Sequence, residues 1–238
     1  MRTWKTTSGY SVIKILSGRS NVFLLTNCHT NILIDTSSSR LWNKLQRQLN
    51  KLQIKHIDYL ILTHAHFDHA GNAHKIKEKY SPLVIIQINE AEFLTTGDNI
   101  LPGGTTFFTR PLVNIFGRQL FPMLRYKPCK PDLTVDSFFD LTEFGFNGYL
   151  MSTPGHTAGS MSLIIDDEIA VVGDTMFGLL WWSVFPPYAE DVNQMIQSWG
   201  KLLETNCSIF LPSHGTAKRR SIVQKDYTRR IKQVTRNN

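Results

Sequence analysis

Cysteine is scarce: three residues, Cys28, Cys129 and Cys207, in a chain of 238. Their odd number and wide separation exclude a disulfide framework, and none sits in a metal-binding pattern. A reducing compartment and buried packing roles are expected for all three. Long apolar runs are lacking too. No stretch reaches the roughly eighteen uncharged apolar residues of a membrane span, and Arg2, Trp4 and Lys5 leave no apolar segment of signal-peptide type after Met1. The expectation is a soluble, cytoplasmic protein. Nor is this the composition of a disordered chain, and its length suffices for one large domain over residues 1–238 with a buried core. Acidic side chains are missing altogether from residues 99–131, which carry five basic and five aromatic residues. They are nearly missing from residues 216–238, where eight basic residues face one acid, Asp226, so the whole net charge of +7 lies there. The rest of the chain is formally neutral, which argues against a basic stripe leading nucleic acid to an active site. A terminal helix with a solvated basic face is expected, its apolar side supplied by Ile222, Val223, Ile231 and Val234. Nucleic-acid binding by that tail is the alternative.

What the chain does have is histidine and aspartate in a tight group. Thr63-His64-Ala65-His66-Phe67-Asp68-His69-Ala70-Gly71 directly follows the apolar run Tyr59-Leu60-Ile61-Leu62. A strand ending there delivers two alternating imidazoles, then a carboxylate and a third imidazole as the chain bends away. Neutral imidazole and carboxylate suit zinc, iron or manganese better than calcium or magnesium. Further candidates stand at His156 in Thr153-Pro154-Gly155-His156-Thr157-Ala158-Gly159, Asp174 in Val172-Gly173-Asp174-Thr175 and His214 in Leu211-Pro212-Ser213-His214-Gly215. Each follows a short apolar run and lies beside Gly or Pro, where strand-end loops hold functional side chains. The set is His64, His66, Asp68, His69, His156, Asp174 and His214. One zinc takes three or four protein ligands, so seven fit two ions sharing a carboxylate. His29 and His56 lie in polar turns and His74 on the helix expected over 71–80; all three read as surface or packing residues.

Along the chain, residues 11–16, 21–25 and 31–34 read as strands, the last ending at Asp35. A helix is expected over 41–52, a strand over 57–62, a buried strand over 83–86 and a short helix over 89–94. Within 99–131, Leu112, Ile115, Phe116, Leu120, Met123 and Leu124 follow helical spacing, although Pro122 should disturb the last turn. Lying between two ligand segments, this stretch reads either as a lid lining a substrate pocket, or as a helix on the core or a homodimer contact. The second half brings strands over 134–135, 144–151, 161–165, 169–172 and 208–211, with a helix over 191–203. Two strand-and-helix halves, each ending in ligand loops, suggest an α/β fold with two sheets face to face and helices outside.

These segments, in this order, resemble the metallo-β-lactamase-fold superfamily over about Val12 to His214. The resemblance implies a four-layer αββα sandwich of two mixed β-sheets. It implies that His64, His66 and His156 hold one metal and Asp68, His69 and His214 the other, with Asp174 bridging. Asp35-Thr36-Ser37 stands where the superfamily often has Asp-Thr-Gly, so Asp35 is expected to buttress the ligand loop. Zinc comes first as the metal, iron or manganese second. Two divalent ions roughly 3.5–4 Å apart hold a bridging hydroxide at neutral pH, the expected nucleophile. Asp68 is the expected catalytic residue, a ligand that also passes a proton to the leaving atom.

Subfamily features narrow the reaction. Flavodiiron oxygen reductases carry Glu where this chain has His66. Glyoxalase II-type enzymes carry a Gly-Cys-Gly-Arg-like stretch where it has Phe177-Gly178-Leu179-Leu180-Trp181-Trp182. Acyl-homoserine lactonases have Tyr where it has Phe177, and true β-lactamases generally lack Asp at the position of Asp174. Phe177, Trp181, Trp182 and Phe185 read as a pocket wall or as core filling. The expected substrate is a partly apolar small molecule, an ester, thioester or lactone. The alternatives are a mononuclear non-haem iron enzyme of sulfur dioxygenase type, using His64, His66 and His156, and a nucleic-acid phosphodiesterase.

Overall fold

The computed structural model describes residues 1–98, 103–109, 111, 113, 115 and 124–237, with side chains of the final helix as far as residue 233. Its central strands, such as Val22–Thr26, Asn31–Ile34, Met161–Ile165 and Ile169–Gly178, are apolar and buried at nearly every position, so they must be covered on both faces. Seven strands form one sheet in chain order: β1 (Arg2–Lys5), β2 (Ser11–Leu16), β3 (Val22–Thr26), β4 (Asn31–Ile34), β5 (Tyr59–Ile61), β6 (Leu83–Gln87) and β7 (Leu133–Val135). Pairing is antiparallel as far as β4 and parallel from there on. The second sheet holds β8 (Phe138–Asp140), β9 (Gly148–Ser152), β10 (Met161–Ile165), β11 (Ile169–Gly178), β12 (Ile209–Gly215) and β13 (Lys218–Arg219). There β11 and β12 run parallel and the other neighbours antiparallel.

Side-chain alternation sorts these strands into layers. Phe23, Leu25, Ile32, Ile34, Ile61 and Ile85 of the first sheet meet Leu150, Met161, Leu163, Ile165, Val171 and Leu211 of the second. Their neighbours Leu24, Leu33, Leu60 and Val84 face outward onto α1 (Trp42–Lys51), α3 (Ala73–Tyr80) and α4 (Ala91–Thr96). Across the molecule, Ile164, Ala170, Val172 and Phe210 face α5 (Val192–Glu204) and α6 (Arg220–Asn237). The αββα sandwich is what forms. Helix α1 has no side-chain cap, so Leu45 and Leu49, fully buried one turn apart, hold it by packing. Each such leucine contributes roughly 1.5–3 kcal/mol. No described helix is long and apolar enough to cross a membrane.

Several local expectations change. The helix expected over 71–80 starts at Ala73, as α3, and a separate helical turn, α2 (Phe67–Ala70), precedes it. Between them Asn72 is claimed by other partners: its N–H donates to Thr36 Oγ1 and its amide to the carbonyls of Thr36 and Ser38. The strand over 144–151 starts only at Gly148, because a 3₁₀ turn over Thr142–Phe144 ends in Gly145 at φ +83°. Cys28 is exposed, correcting the buried role expected for it; Cys129 and Cys207 are buried. It sits at φ +74° in the turn where Asn27 Oδ1 accepts from His29 and Thr30.

The basic tail is a helix, yet its charges are less solvated than expected. Lys218 is buried and donates to the Leu180 carbonyl, and Arg220 donates to the carbonyls of Thr205 and Leu203 at the end of α5. Arg229 and Arg230 both pair with buried Asp226. Of the 99–131 segment, Arg110, Leu112, Phe116, Arg118, Leu120, Phe121, Pro122 and Met123 lie outside the described residues. Ile115 is exposed, and Leu124 and Tyr126 are buried.

Candidate metal centre

The centre lies past the ends of β4, β5 and β9, and Asp174 and His214 reach it from within β11 and β12. Beyond β5 the chain turns under the control of Asp35, which sits just past β4 at φ +60°. Asp35 Oδ1 accepts from the Thr63 N–H at 2.9 Å, and Oδ2 accepts from the Ser213 hydroxyl at 3.1 Å. Oδ2 also accepts from His69 Nδ1 at 2.8 Å, which directs His69 Nε2 inward. The expected buttress is therefore in place, and it reaches ligand loops of both sheets. On the second sheet, Gly173 (φ +52°) marks a register shift between β11 and β12, a bulge beside Asp174. A Cβ on Gly173 would lie 2.8 Å from Thr63 Cβ, so the residue before Asp174 can only be glycine. The Tyr188 carbonyl accepts from His156 Nδ1 at 3.0 Å, leaving Nε2 as the free lone pair.

All seven sequence-predicted residues come together. His64 Nε2 lies 2.9 Å and His156 Nε2 3.1 Å from His66 Nδ1. Asp174 lies 3.4 Å from His69 Nε2 through Oδ1, and 3.5 and 3.2 Å from His156 and His214 Nε2 through Oδ2. His214 Nε2 also approaches Asp68 Oδ2 at 3.6 Å. Among the described residues, ligand atoms converge within 4.8 Å in three groups: His64, His66, His156; His64, His69, Asp174; and Asp68, His69, His214.

Would these residues fit metal ions? Zinc–nitrogen bonds of 2.0–2.1 Å in a tetrahedron set ligand atoms roughly 3.4 Å apart, within a few tenths of the spacing here. Two buried atoms that face each other, His69 Nε2 and Asp174 Oδ1, have no hydrogen-bond partner. Leaving such groups unsatisfied costs about 1–3 kcal/mol each, and a cation between them would satisfy both. The donor set is right, and the orphaned pair lies where the two halves meet.

Electrostatics agree. Burial, reinforced by His69, His66 and His156, holds His64 well below the usual imidazole pKa, so its lone pair is available. Burial also works against charge on His69 and His214, but Asp174, with Asp35 at His69 and Asp68 at His214, outweighs it and raises both. A divalent cation competes there with a proton. Despite its burial, Asp174 is held well below the usual carboxylate range by His214 and His69, and it stays ionised.

Three nearby residues escaped sequence reasoning. Arg19 is mostly exposed, stands 3.8 Å from Asp68 Oδ2 and lies over the Phe67 ring. Buried Glu90 and Tyr126 contact the loop between His64 and His66. Glu90 lies between Asn89 and Glu92 in an ordinary mixed polar stretch, so no pattern marked it. Of the proposed pocket wall, Phe177 is buried and stacks on His214 with ring centroids 4.4 Å apart. Phe185 packs on Trp199, whereas Trp181 and Trp182 are exposed, 79% and 49%, edge to face.

Residues 17–214 match the family model of the metallo-β-lactamase superfamily. A probable metallo-hydrolase of Methanocaldococcus jannaschii is 32% identical over 202 residues, 82% of this chain and 87% of its own length. An atrochrysone carboxyl ACP thioesterase of Aspergillus fumigatus is 24% identical over 222 residues, 86% of this chain but 56% of its own. An archaeal metallo-β-lactamase superfamily protein of known structure, from Sulfolobus tokodaii, shares the fold at TM-score 0.63 and 20% identity, covering 88% of this chain and 79% of its own. With a matching family model over most of its length and a relative of that identity and coverage, the chain belongs to the metallo-β-lactamase superfamily.

Proposed function

We propose that this enzyme is a two-ion hydrolase acting on an ester, thioester or lactone with an apolar portion. One observation carries the reading: the Asp174 carboxylate faces His156 from one histidine set and His69 and His214 from the other, so one bridging group serves both. His64, His66 and His156 would hold one ion, Asp68, His69 and His214 the second, with zinc the first choice and iron or manganese next. When bound, such ions supply Lewis-acid polarisation of a carbonyl oxygen and lower the pKa of water from about 15.7 to near 7.

The chain's own residues do the rest. The Asp35 and Tyr188 acceptors fix the tautomers of His69 and His156, so both rings present Nε2 inward. Asp68, 8% exposed, sits between His214 and Arg19 and is assigned the proton transfer to the leaving atom. Phe177 covers one face of His214 and keeps water from it. The exposed Trp181 and Trp182, four and five residues past Phe177, offer apolar surface to a substrate. The thioesterase among the relatives lends weight to acyl chemistry. Residues 103–109, the first described part of the 99–131 stretch, are assigned as part of a cover for the site. They donate from Thr105 and Thr109 to the Pro187 carbonyl, next to the Tyr188 that holds His156.

Metal analysis paired with a panel of ester, thioester, lactone, lactam and phosphodiester substrates tests this. Two ions per chain, and acyl hydrolysis that chelation abolishes and zinc restores, are expected. One iron per chain with no hydrolysis would instead establish the sulfur dioxygenase-type alternative.

A further inference from the structure

We propose that Glu90 is the positioning residue of the three-imidazole half of the centre, tying the loop that carries His64 and His66 to the loop that carries His156. The inference rests on the two-ion reading above. Glu90 is 3% exposed and stands in the 3₁₀ turn Ile88–Glu90 that follows β6. Its Oε2 accepts from the Ala65 N–H at 2.8 Å, the peptide between His64 and His66. Its Oε1 accepts from the Gly159 N–H at 3.2 Å, three residues past His156. Both donors belong to the two loops that carry those imidazoles. From the opposite side, the Tyr126 hydroxyl donates to the Ala65 carbonyl at 2.7 Å, so Ala65 is held through both its N–H and its carbonyl.

A packing role does not account for this arrangement. Burying a carboxylate without a cationic side chain is costly, and burial does raise the pKa of Glu90. An apolar residue would support α4 at lower cost. The neighbouring backbone is also shaped to it: a Cβ on Gly159 would fall 2.5 Å from Glu90 Cγ and 2.7 Å from Gln87 Oε1. Only glycine lets that loop come close enough to donate.

The two buried carboxylates act differently. Asp35 holds the His69 ring directly and, through the Thr63 hydroxyl that lies 3.2 Å from His64 Nδ1, reaches the three-imidazole half as well. Glu90 holds no ring directly and serves the His64–His66–His156 half alone, through backbone.

The test compares Glu90→Gln, Glu90→Asp, Gly159→Ala and Asp35→Asn with the wild type. Zinc affinity is measured by chelator competition for each of the two ions, the absorption spectrum is recorded on cobalt substitution, and melting is followed in the metal-free protein. Glutamine keeps the shape but can accept only through one atom. It is expected to weaken one ion about 10–100-fold and leave the other within about threefold. Glu90→Asp should recover part of the loss, Gly159→Ala should weaken the same ion by displacing Glu90, and Asp35→Asn, which reaches both halves, should weaken both. The cobalt bands that change should match the ions weakened in each case. Wild-type affinities at both ions in Glu90→Gln, or equal weakening of both, would overturn the proposal. If Glu90→Gln does not fold, Gly159→Ala decides by the same criteria. A wild-type protein that binds two ions but hydrolyses no acyl substrate sinks the proposed function and leaves the role of Glu90 standing.

Discussion

Asp174 combines demands that conflict in any single carboxylate: it is almost fully buried, ionised and within 3.5 Å of three imidazoles. Its place among three imidazoles makes Asp174→Asn informative, because asparagine keeps the shape and loses the charge. Bound zinc is expected to fall from two ions to one, and kcat/KM to drop by more than the ~100-fold that even outer partners of a metal ligand are worth. Metal analysis and steady-state kinetics on the same sample check it; retention of both ions with full turnover would remove Asp174 from its bridging role. At this scale the candidate ligands were legible because they stand beside glycine or proline after short apolar runs, or within the dense run from His64 to His69. Asp174 and His214 nevertheless lie within β11 and β12 rather than past a strand end. Glu90 and Arg19 were not. Glu90 acts on backbone N–H groups 25 and 69 residues away in sequence, and backbone donors leave no mark on residue type. Arg19 meets Asp68 only because two loops adjoin in space.

Among the elements, α6 departs most from its sequence reading. Counting charges describes a solvated basic face, but it cannot say which carbonyls lie within reach, and Arg220 uses those at the end of α5 while Arg229 and Arg230 fold onto Asp226. Asp226 is 2% exposed and accepts from the Ser183 hydroxyl and the Val184 N–H, pinning the loop after β11 to this helix. Burial works against its ionisation, yet those donors and Arg230 hold its carboxyl below the usual range. Its native pKa therefore lies below the unfolded value of about 3.9. The resulting stability is present above that value and lost as pH falls through the lower native one. Asp226→Asn should cost about 3 kcal/mol near neutral pH, where it leaves two arginines without a partner. The gap between variant and wild type should close below about pH 4. Urea unfolding at both pH values measures this, and a gap that is independent of pH would show that the charge of Asp226 contributes nothing. The edge strands β1 and β13 also went unread, since two to four residues at a sheet margin carry too little alternation to register.

For the whole molecule, the four-layer order was legible because continuous apolar runs force two-sided cover, and alternation then assigns each face. What could not be read was how the layers meet at the centre, where four buried carboxylates, Asp35, Asp68, Glu90 and Asp174, share one small region. Ions that balance them should stabilise the fold as any ligand of the native state does. At a thousandfold excess over the dissociation constant this amounts to ~4.1 kcal/mol, or about 10 °C in melting temperature for a chain of this size. Calorimetry with and without a chelator, followed by zinc readdition, checks it. An unchanged melting temperature on metal removal would mean that the centre binds too weakly to matter to the fold.

The split of the ligands between sheets has a kinetic consequence. His64, His66, Asp68 and His69 follow a strand of one sheet, while His156, Asp174 and His214 belong to the other. Neither half alone can grip an ion with a full set of donors. Tight capture would thus come late in assembly, after ligand segments far apart in the chain have been brought together. An ion would act as a clasp fastened last, and the rate at which refolding protein takes up cobalt would clock the docking of one half onto the other.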